Sequence, residues 1–365
     1  MDDRIENKAS GIHGYSEIEI DLSALEQNLK LLKKELISGT EVMAVVKAEA
    51  YGHGMVPLAE MLEGQVAWFA VNSPGEGKIL RESGINLPIL VFNAPGEQQA
   101  PIYRNYNLTA TVSDLRHFEI LPEGSSYHLN IDTGMGRLGL LPDDMEEVIQ
   151  KVESYSHLNC AGIYSHFATA EDPGSQKAVA QIDMFKVIRS RFDDSLITHM
   201  ANTGGTVFYP DAHFDMVRPG IGLYGYSPGQ KEIPGLQPVL SWRSQLAQVK
   251  KVAPGDTVSY GAVWEAPEEG YIGIVPVGYR EGVWRSLTGR FSVAIEGDLF
   301  PAVGTVTMNY FIVFLGQNEK PAGSRVQIMG EAPADNAKYW AAKVESIPYE
   351  ILTRLSDHIP RIYSR

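Results

Sequence analysis

The chain has 365 residues, 44% hydrophobic and 21% charged, a size and composition that fit a globular protein of about two domains. Its formal net charge of −14, with no concentrated basic face, excludes a general nucleic-acid or membrane-surface binder. Its one cysteine, Cys160, excludes an intrachain disulfide and reads as a buried structural thiol in a reducing cytoplasm. The polar opening MDDRIENKAS lacks the apolar core of a signal peptide, and no apolar run reaches membrane-spanning length, so neither export nor membrane insertion is expected.

In chain order, residues 17–21 (EIEID) alternate like a strand and lead into a helical run at 22–36; this strand can pair with a second domain instead of the first. From about 40 to 220, short apolar runs alternate with amphipathic ones. Candidate strands lie near 42–47, 66–71, 88–92, 107–112, 126–131, 159–165, 197–201 and 214–217, with helices such as 142–152 and 175–192 between them. Repeated strand–helix units of this number predict a (β/α)8 barrel, whose active site collects at the strand C-termini. The predicted ends carry Lys47, Asn130 with Asp132, His166, Asn202 with Thr203, and Arg218. After about 236 the pattern turns to strands at 238–250, 271–278, 291–296, 303–315 and 325–329, with helices at 334–344 and 348–355. The expected organisation is an α/β barrel over 1–235, of which 1–21 can join the second domain, followed by a mainly β domain over 236–365.

Chemistry concentrates on Lys47. Val42, Met43, Ala44, Val45 and Val46 form a run suited to a strand buried on both faces, and Lys47 closes it just before Tyr51-Gly52-His53-Gly54. A buried, unprotonated amine there can form a Schiff base with an aldehyde. If that aldehyde is pyridoxal phosphate, the phosphate needs N–H and hydroxyl donors, the ring nitrogen a partner, and a substrate carboxylate an arginine. Asn202-Thr203-Gly204-Gly205-Thr206 and Gly220-Ile221 offer the first, and Arg218 the second. A guanidinium keeps a pyridine nitrogen unprotonated, which weakens the ring as an electron sink and suits reprotonation at the α-carbon. Taken singly, Lys47 can be a snorkelling strand-end lysine, the glycine-rich turn a helix cap, and Arg218 a structural ion-pair partner.

Together these residues resemble the alanine racemase family, fold-type III pyridoxal-phosphate enzymes. The resemblance runs through AVVKAEAYGHG, DTGMGRLG, YSHFATA, HMANTGGT, MVRPGIGLYG, VSYGA, VPVGYREG and PYEILTRLSDHIPR, and covers nearly the whole chain. It implies that Lys47 carries pyridoxal 5'-phosphate and acts as the base on the D-enantiomer's side. Tyr260, from a partner subunit, would be the opposite base, tuned by His166 and Arg218, since a phenol alone is a poor base near neutral pH. Arg137 would contact the cofactor's phenolic oxygen and the substrate carboxylate, which the backbone of Met308 from the partner also binds. Tyr51, Thr203, Gly220, Ile221 and Tyr349 would hold the phosphate beside Asn202, and Tyr279 would guard the entrance. The resemblance therefore implies a homodimer with shared active sites, a small amino-acid substrate, no metal, and a role in D-alanine supply for peptidoglycan.

The sequence departs from the family in places. Asn130 stands where many members carry a carbamylated lysine that positions the arginine matching Arg137, and a chloride can replace the missing charge. Thr307-Met308-Asn309 replaces a common Cys-Met-Asp, and Glu49 replaces an aspartate. Such asparagines resemble serine and broad-specificity racemases, which stand as alternatives, with a fold-type III decarboxylase, a non-catalytic pyridoxal-phosphate carrier and a sugar-phosphate or nucleotide-binding barrel behind them.

Overall fold

A computed structural model describes residues 5–6 and 15–365; residues 1–4 and 7–14, on which most of the signal-peptide reading rests, lie outside the described residues. The chain divides into two compact units, one built from Leu25–Ala50 and Gly54–Gln237, the other from the described residues up to Ala24, Tyr51–His53 and Pro238–Arg365.

The first unit is a barrel of parallel strands: Glu41–Val45, Trp68–Val71, Ile89–Val91, Ala110–Val112, Ser126–Asn130, Asn159–Tyr164, Ile197–His199 and Met216–Val217. The last strand pairs with the first, through Met216 with Glu41 and Val217 with Val42. A bridge between Leu90 and Thr109 closes the ring between the third and fourth. Val42, Met43, Ala44 and Val45 are all buried, as in a strand covered by helices on one face and by the barrel core on the other. The helices follow local rules. Ser73 and Glu76 close a capping box on Pro74–Glu82, with proline in the first turn where its missing N–H costs nothing. Ser175 caps Gln176–Arg189, whose buried Ala178, Gln181, Ile182, Phe185 and Ile188 fall on one face. The barrel core is partly polar: Thr111, His128 and His199 are fully buried inside it.

The second unit is a mixed sheet. Its strands run, side by side, Ile5–Glu6, Arg361–Ser364, Glu17–Asp21, Leu240–Gln245, Arg325–Met329, Ser292–Ile295, Asp298–Val303, Phe311–Gly316, Gly270–Val275 and Gln248–Val252. Glu17–Asp21 pairs parallel with Arg361–Ser364 and antiparallel with Leu240–Gln245. Fully buried Trp242 and Trp340 meet edge-on at 6.2 Å, and Phe291 packs on Trp340 at 5.2 Å, forming the centre of this core. The predicted run 238–250 is two strands, because Leu246 turns to donate to Ser324 O while Ala247 donates to Ile274 O. The predicted run 303–315 is also broken. Gly304 adopts φ +63°, and a Cβ there would meet Val258 O at 2.8 Å, so glycine is required where the chain leaves the sheet for the loop bearing Met308. Asp298–Val303 and Arg361–Ser364 carry no sequence signal that separated them from their surroundings. Among the described residues no helix is long and apolar enough to cross a membrane.

Candidate active site

Lys47 leaves its strand into a turn of unusual hand. Ala48, Glu49, Ala50 and Tyr51 have φ of +53°, +52°, +50° and +56°, so Lys47–Gly52 is a single left-handed helical turn built mostly from residues with a Cβ. Each such residue costs about 1–2 kcal/mol against a right-handed conformation, and strain of this kind persists only where surrounding bonds enforce it. Those bonds are present. Ala50 N donates to Val46 O, Gly54 N to Glu49 O, and Met55 N to Glu49 Oε2 at 3.1 Å, which gives Glu49 a capping role on the helix Met55–Leu62. Ala48 N donates to Glu76 Oε1 at 2.7 Å. Lys47 Nζ rests against the Phe92 ring at 5.8 Å from its centroid. Burial, and secondarily the charge of Arg137, lower its pKa, while Glu76 opposes them.

Arg218 reaches the same ring from the strand Met216–Val217, its guanidinium 6.0 Å from the Phe92 centroid and 5.2 Å from that of Tyr164. It is 3% exposed, and among the described residues no carboxylate pairs with it. Its hydrogen bonds go instead to Ser165 O, Met200 O, His166 Nδ1 at 3.3 Å and His199 Nδ1 at 2.7 Å. Burial pulls its pKa down to about 10, which leaves it charged at neutral pH. A permanently charged donor on His199 Nδ1 sets that nitrogen as acceptor, so His199 Nε2–H donates to His128 Nδ1 at 2.8 Å. Burial, then Arg218, hold His166 and His199 well below the ordinary imidazole value, and hold His128 at about 3.

These neutral imidazoles give the fold a pH dependence. His128 binds protons near 6.5 when unfolded but only near 3 when folded, so between those values the unfolded chain takes up the extra proton. The stabilisation is complete above pH 6.5 and is lost as pH falls toward 3. Urea unfolding is expected to show stability falling from pH 6.5 to 5 by up to about 1.4 kcal/mol per pH unit per buried imidazole, with a flatter profile in His128→Gln. A midpoint independent of pH over that range would contradict the assignment.

Next to these, Thr203 opens the short helix Thr203–Phe208, with Asn202 as its cap through Oδ1 and Gly205 N. Thr203 Oγ1 accepts from Gly220 N at 3.1 Å and Gly222 N at 3.2 Å, on either side of Ile221. With both lone pairs engaged, the hydroxyl has its proton to donate. Asn130, 6% exposed, donates Nδ2 to Leu138 O and so holds the loop that carries Arg137, while Asp132 accepts from Gly134 N and Gly136 N in the same loop. Arg137 is exposed, and its charge acts on Lys47, His166 and Arg218. Gln181, 2% exposed, ties Thr133 Oγ1 to His166 O and accepts from Ala168 N. The predicted residues Lys47, Asn130, Arg137, His166, Asn202, Thr203, Arg218, Gly220 and Ile221 thus all belong to the barrel unit, on segments at or following the C-terminal ends of its strands.

The remaining predicted residues belong to the other unit. Tyr51 and Tyr349 have ring centroids 5.8 Å apart, and Arg361 fixes the backbone beside Tyr51 by donating Nε and a terminal nitrogen to Gly52 O. Tyr260, Tyr279 and Met308 are 75%, 44% and 53% exposed. Tyr260 lies between Ser259 at φ +66° and Gly261 and Ala262 at +77° and +48°, with its carbonyl accepting from Thr305 Oγ1. Tyr279 N and Arg280 N donate to Thr307 O and Met308 O, an approach so close that a Cβ on Gly278 would sit 2.2 Å from Thr307 O. Asn309 Nδ2 donates to Glu281 Oε1 at 3.0 Å, placing a carboxylate beside the asparagine.

Glu76, Phe92, Tyr164, His199, His128 and Gln181 were not singled out in the sequence. A histidine inside an apolar strand, as at 128 and 199, and the Ser73–Glu76 capping-box spacing were the available signals.

Comparison with known proteins matches the chain in two consecutive parts. The family description "Alanine racemase, N-terminal domain" matches residues 20–228, and "Alanine racemase, C-terminal domain" matches residues 239–363. An alanine racemase of Thermobifida fusca (strain YX) is 34% identical over 370 residues, covering 96% of this chain and 98% of that one. An alanine racemase of Anoxybacillus flavithermus (strain DSM 21510 / WK1) is 37% identical over 363 residues, 94% of each. The crystal structure of alanine racemase from E. faecalis superposes with a TM-score of 0.92 at 31% identity, covering 97% of this chain and 99% of that one. That of Bacillus anthracis alanine racemase with bound L-Ala-P gives 0.91 at 31% identity, covering 98% and 96%. With both halves matched in order, and with the fold shared throughout, the chain belongs to the alanine racemase family.

Proposed function

We propose that this chain is a pyridoxal 5'-phosphate-dependent racemase that interconverts L- and D-alanine by two bases, Lys47 and Tyr260 of the partner subunit. The observation that carries the reading is the pair of Lys47 and Arg218 against one ring, Phe92, with Arg218 buried and without a carboxylate. A buried cation with no anion beside it is a marker of a binding site. The residues present fit pyridoxal phosphate. Lys47 offers an amine of lowered pKa, Arg218 a donor for a pyridine nitrogen, and Thr203 a hydroxyl proton for a phosphate oxygen, with Asn202 next to it in the chain and Gly220 and Ile221 in the segment that donates to it; by resemblance Tyr51 and Tyr349 would complete the phosphate site. When bound, that group supplies an aldehyde for the amine and a conjugated ring that lowers the acidity barrier at the substrate's Cα.

The chain's own residues do the rest. Lys47 Nζ takes or returns the Cα proton on the D-enantiomer's side, and the Tyr260 phenol of a partner does so on the opposite face, which inverts the centre. His166, held neutral and accepting from Arg218 at Nδ1, would hydrogen-bond the phenol and with Arg218 favour its deprotonated form. Arg137 holds the substrate carboxylate, with the Met308 backbone of the partner, and Tyr279 lines the entrance. The exposure of Tyr260, Tyr279 and Met308 in the single chain supports a homodimer with shared sites. Asn130 commits its amide to Leu138 O and leaves Arg137 without a carboxylate partner among the described residues, which supports a chloride beside Arg137. The lone cysteine supports a cytoplasmic location, and D-alanine for cell-wall precursors is the corresponding product.

Racemisation of alanine, serine, lysine and arginine by the purified, pyridoxal-phosphate-loaded chain tests the reading. Alanine is expected to turn over fastest. Equal or faster turnover of a larger amino acid would replace alanine as substrate, and carbon dioxide release without racemisation would replace the reaction itself.

A further inference from the structure

One carboxylate on the barrel carries two tasks that sequence-local capping does not explain. Glu76 lies in the first turn of Pro74–Glu82, and its Oε2 accepts from Asn72 N at 2.7 Å and Ser73 N at 2.8 Å, which completes the helix cap. Its other oxygen, Oε1, turns outward to the N–H of Ala48, the residue directly after Lys47, at 2.7 Å. That N–H opens the left-handed turn, where four successive non-glycine residues hold positive φ. An acceptor on Ala48 N must come from outside the turn, since the first N–H groups of any helical turn lack partners within it. Left-handed strain at each of those residues works to unwind the segment, and a charge-assisted bond at its first N–H opposes it.

We propose that Glu76 is a positioning residue for Lys47: anchored by its own helix cap, it holds through Ala48 the left-handed turn on which the lysine is mounted. The inference rests on Lys47 being the cofactor lysine. The charged and titratable groups around the amine are Arg137, Glu76, His166 and, at the shared Phe92 ring, Arg218, and Glu76 is the one carboxylate among them. Removing its charge therefore moves the amine's titration to lower pH, whereas a residue serving only as a helix cap would leave that titration unchanged.

The test uses the full-length chain freed of cofactor, with acylation of Lys47 followed against pH by mass spectrometry of its peptide. Glu76→Gln is expected to shift the Lys47 profile to lower pH by about half a unit, a roughly threefold change in protonated fraction. Ser73→Ala weakens the same helix cap but keeps the carboxylate, and is expected to leave the profile in place. Glu76→Asp keeps the charge but falls short of Ala48, and is expected to raise hydrogen exchange at the Ala48 amide about tenfold. A Glu76→Gln profile that coincides with the parent's, a Ser73→Ala profile that shifts equally, or unchanged Ala48 exchange in Glu76→Asp would overturn the proposal. Failure of the underlying reading is seen separately: borohydride reduction of the loaded chain would then label a peptide other than that of Lys47.

Discussion

Replacing Lys47 with alanine is expected to lower kcat for alanine racemisation by at least about 10³-fold if, as proposed, one side chain is both the point of covalent attachment and a base. General acid–base catalysis alone accounts for 10²–10⁴-fold, and the two functions of one residue are not separable by deletion. The fold is expected to survive the change. Lys47 packs on Phe92 but lies within the field of Arg137, and its lowered pKa records that burial and that cation acting against its charge. Removing the ammonium relieves the repulsion, so the thermal midpoint of the variant should match or exceed that of the parent. Steady-state kinetics and a thermal melt on the same preparation separate the two effects. Activity within tenfold of the parent, or a loss of activity accompanied by unfolding, would contradict the role given to this lysine.

How far the sequence reaches is seen by comparing Lys47 with Glu76. The lysine was visible because a long cation closing a five-residue apolar run conflicts with its surroundings, and such conflicts mark functional positions. The barrel was legible for a related reason: parallel strands buried on both faces leave short apolar runs at regular intervals, eight were found, and five of them end in polar residues. Glu76 satisfied every local rule as a helix cap, so nothing in its neighbourhood revealed that its second oxygen serves another segment. The left-handed turn was equally hidden, since alanine, glutamate and tyrosine favour the opposite hand and only the bonds of the folded chain reverse it. His128 and His199 were passed over as parts of strands, and their line from Arg218 depends on pairing between strands remote in sequence. In the β unit the strand Arg361–Ser364 depends on a partner more than three hundred residues away, Glu17–Asp21, which no local pattern announces. Asn309 was read as the loss of a charge; the neighbouring Glu281 carboxylate is supplied from a different loop.

Replacing Tyr260 with phenylalanine is the second large effect. The side chain is 75% exposed in the single chain and contributes no core packing there, while its loop is held by the Thr305 hydroxyl donating to Tyr260 O and the Ser259 hydroxyl donating to Thr305 O, bonds the substitution leaves intact. Stability of the isolated fold should therefore be unchanged, and kcat should fall by about 10²–10⁴-fold if the phenol is the second proton-transferring group, as proposed. The loss is directional. With Lys47 intact, exchange of the Cα hydrogen of D-alanine with solvent should persist, whereas exchange from L-alanine should be lost with the phenol. Equal loss of both exchanges would point to a structural fault, and retention of both would remove Tyr260 from the reaction.

If Lys47 and Tyr260 act on the same substrate from different copies of the chain, as proposed, two inactive variants mixed together regain activity. Lys47→Ala and Tyr260→Phe chains, unfolded together and refolded, form mixed dimers in which one site carries both mutations and the other carries neither. Random assortment is expected to restore about a quarter of the parent's activity, since half of the dimers are mixed and each has one intact site of two. No recovery, with mixed dimers present by mass, would place both residues in one subunit's site and rule out a site shared between copies.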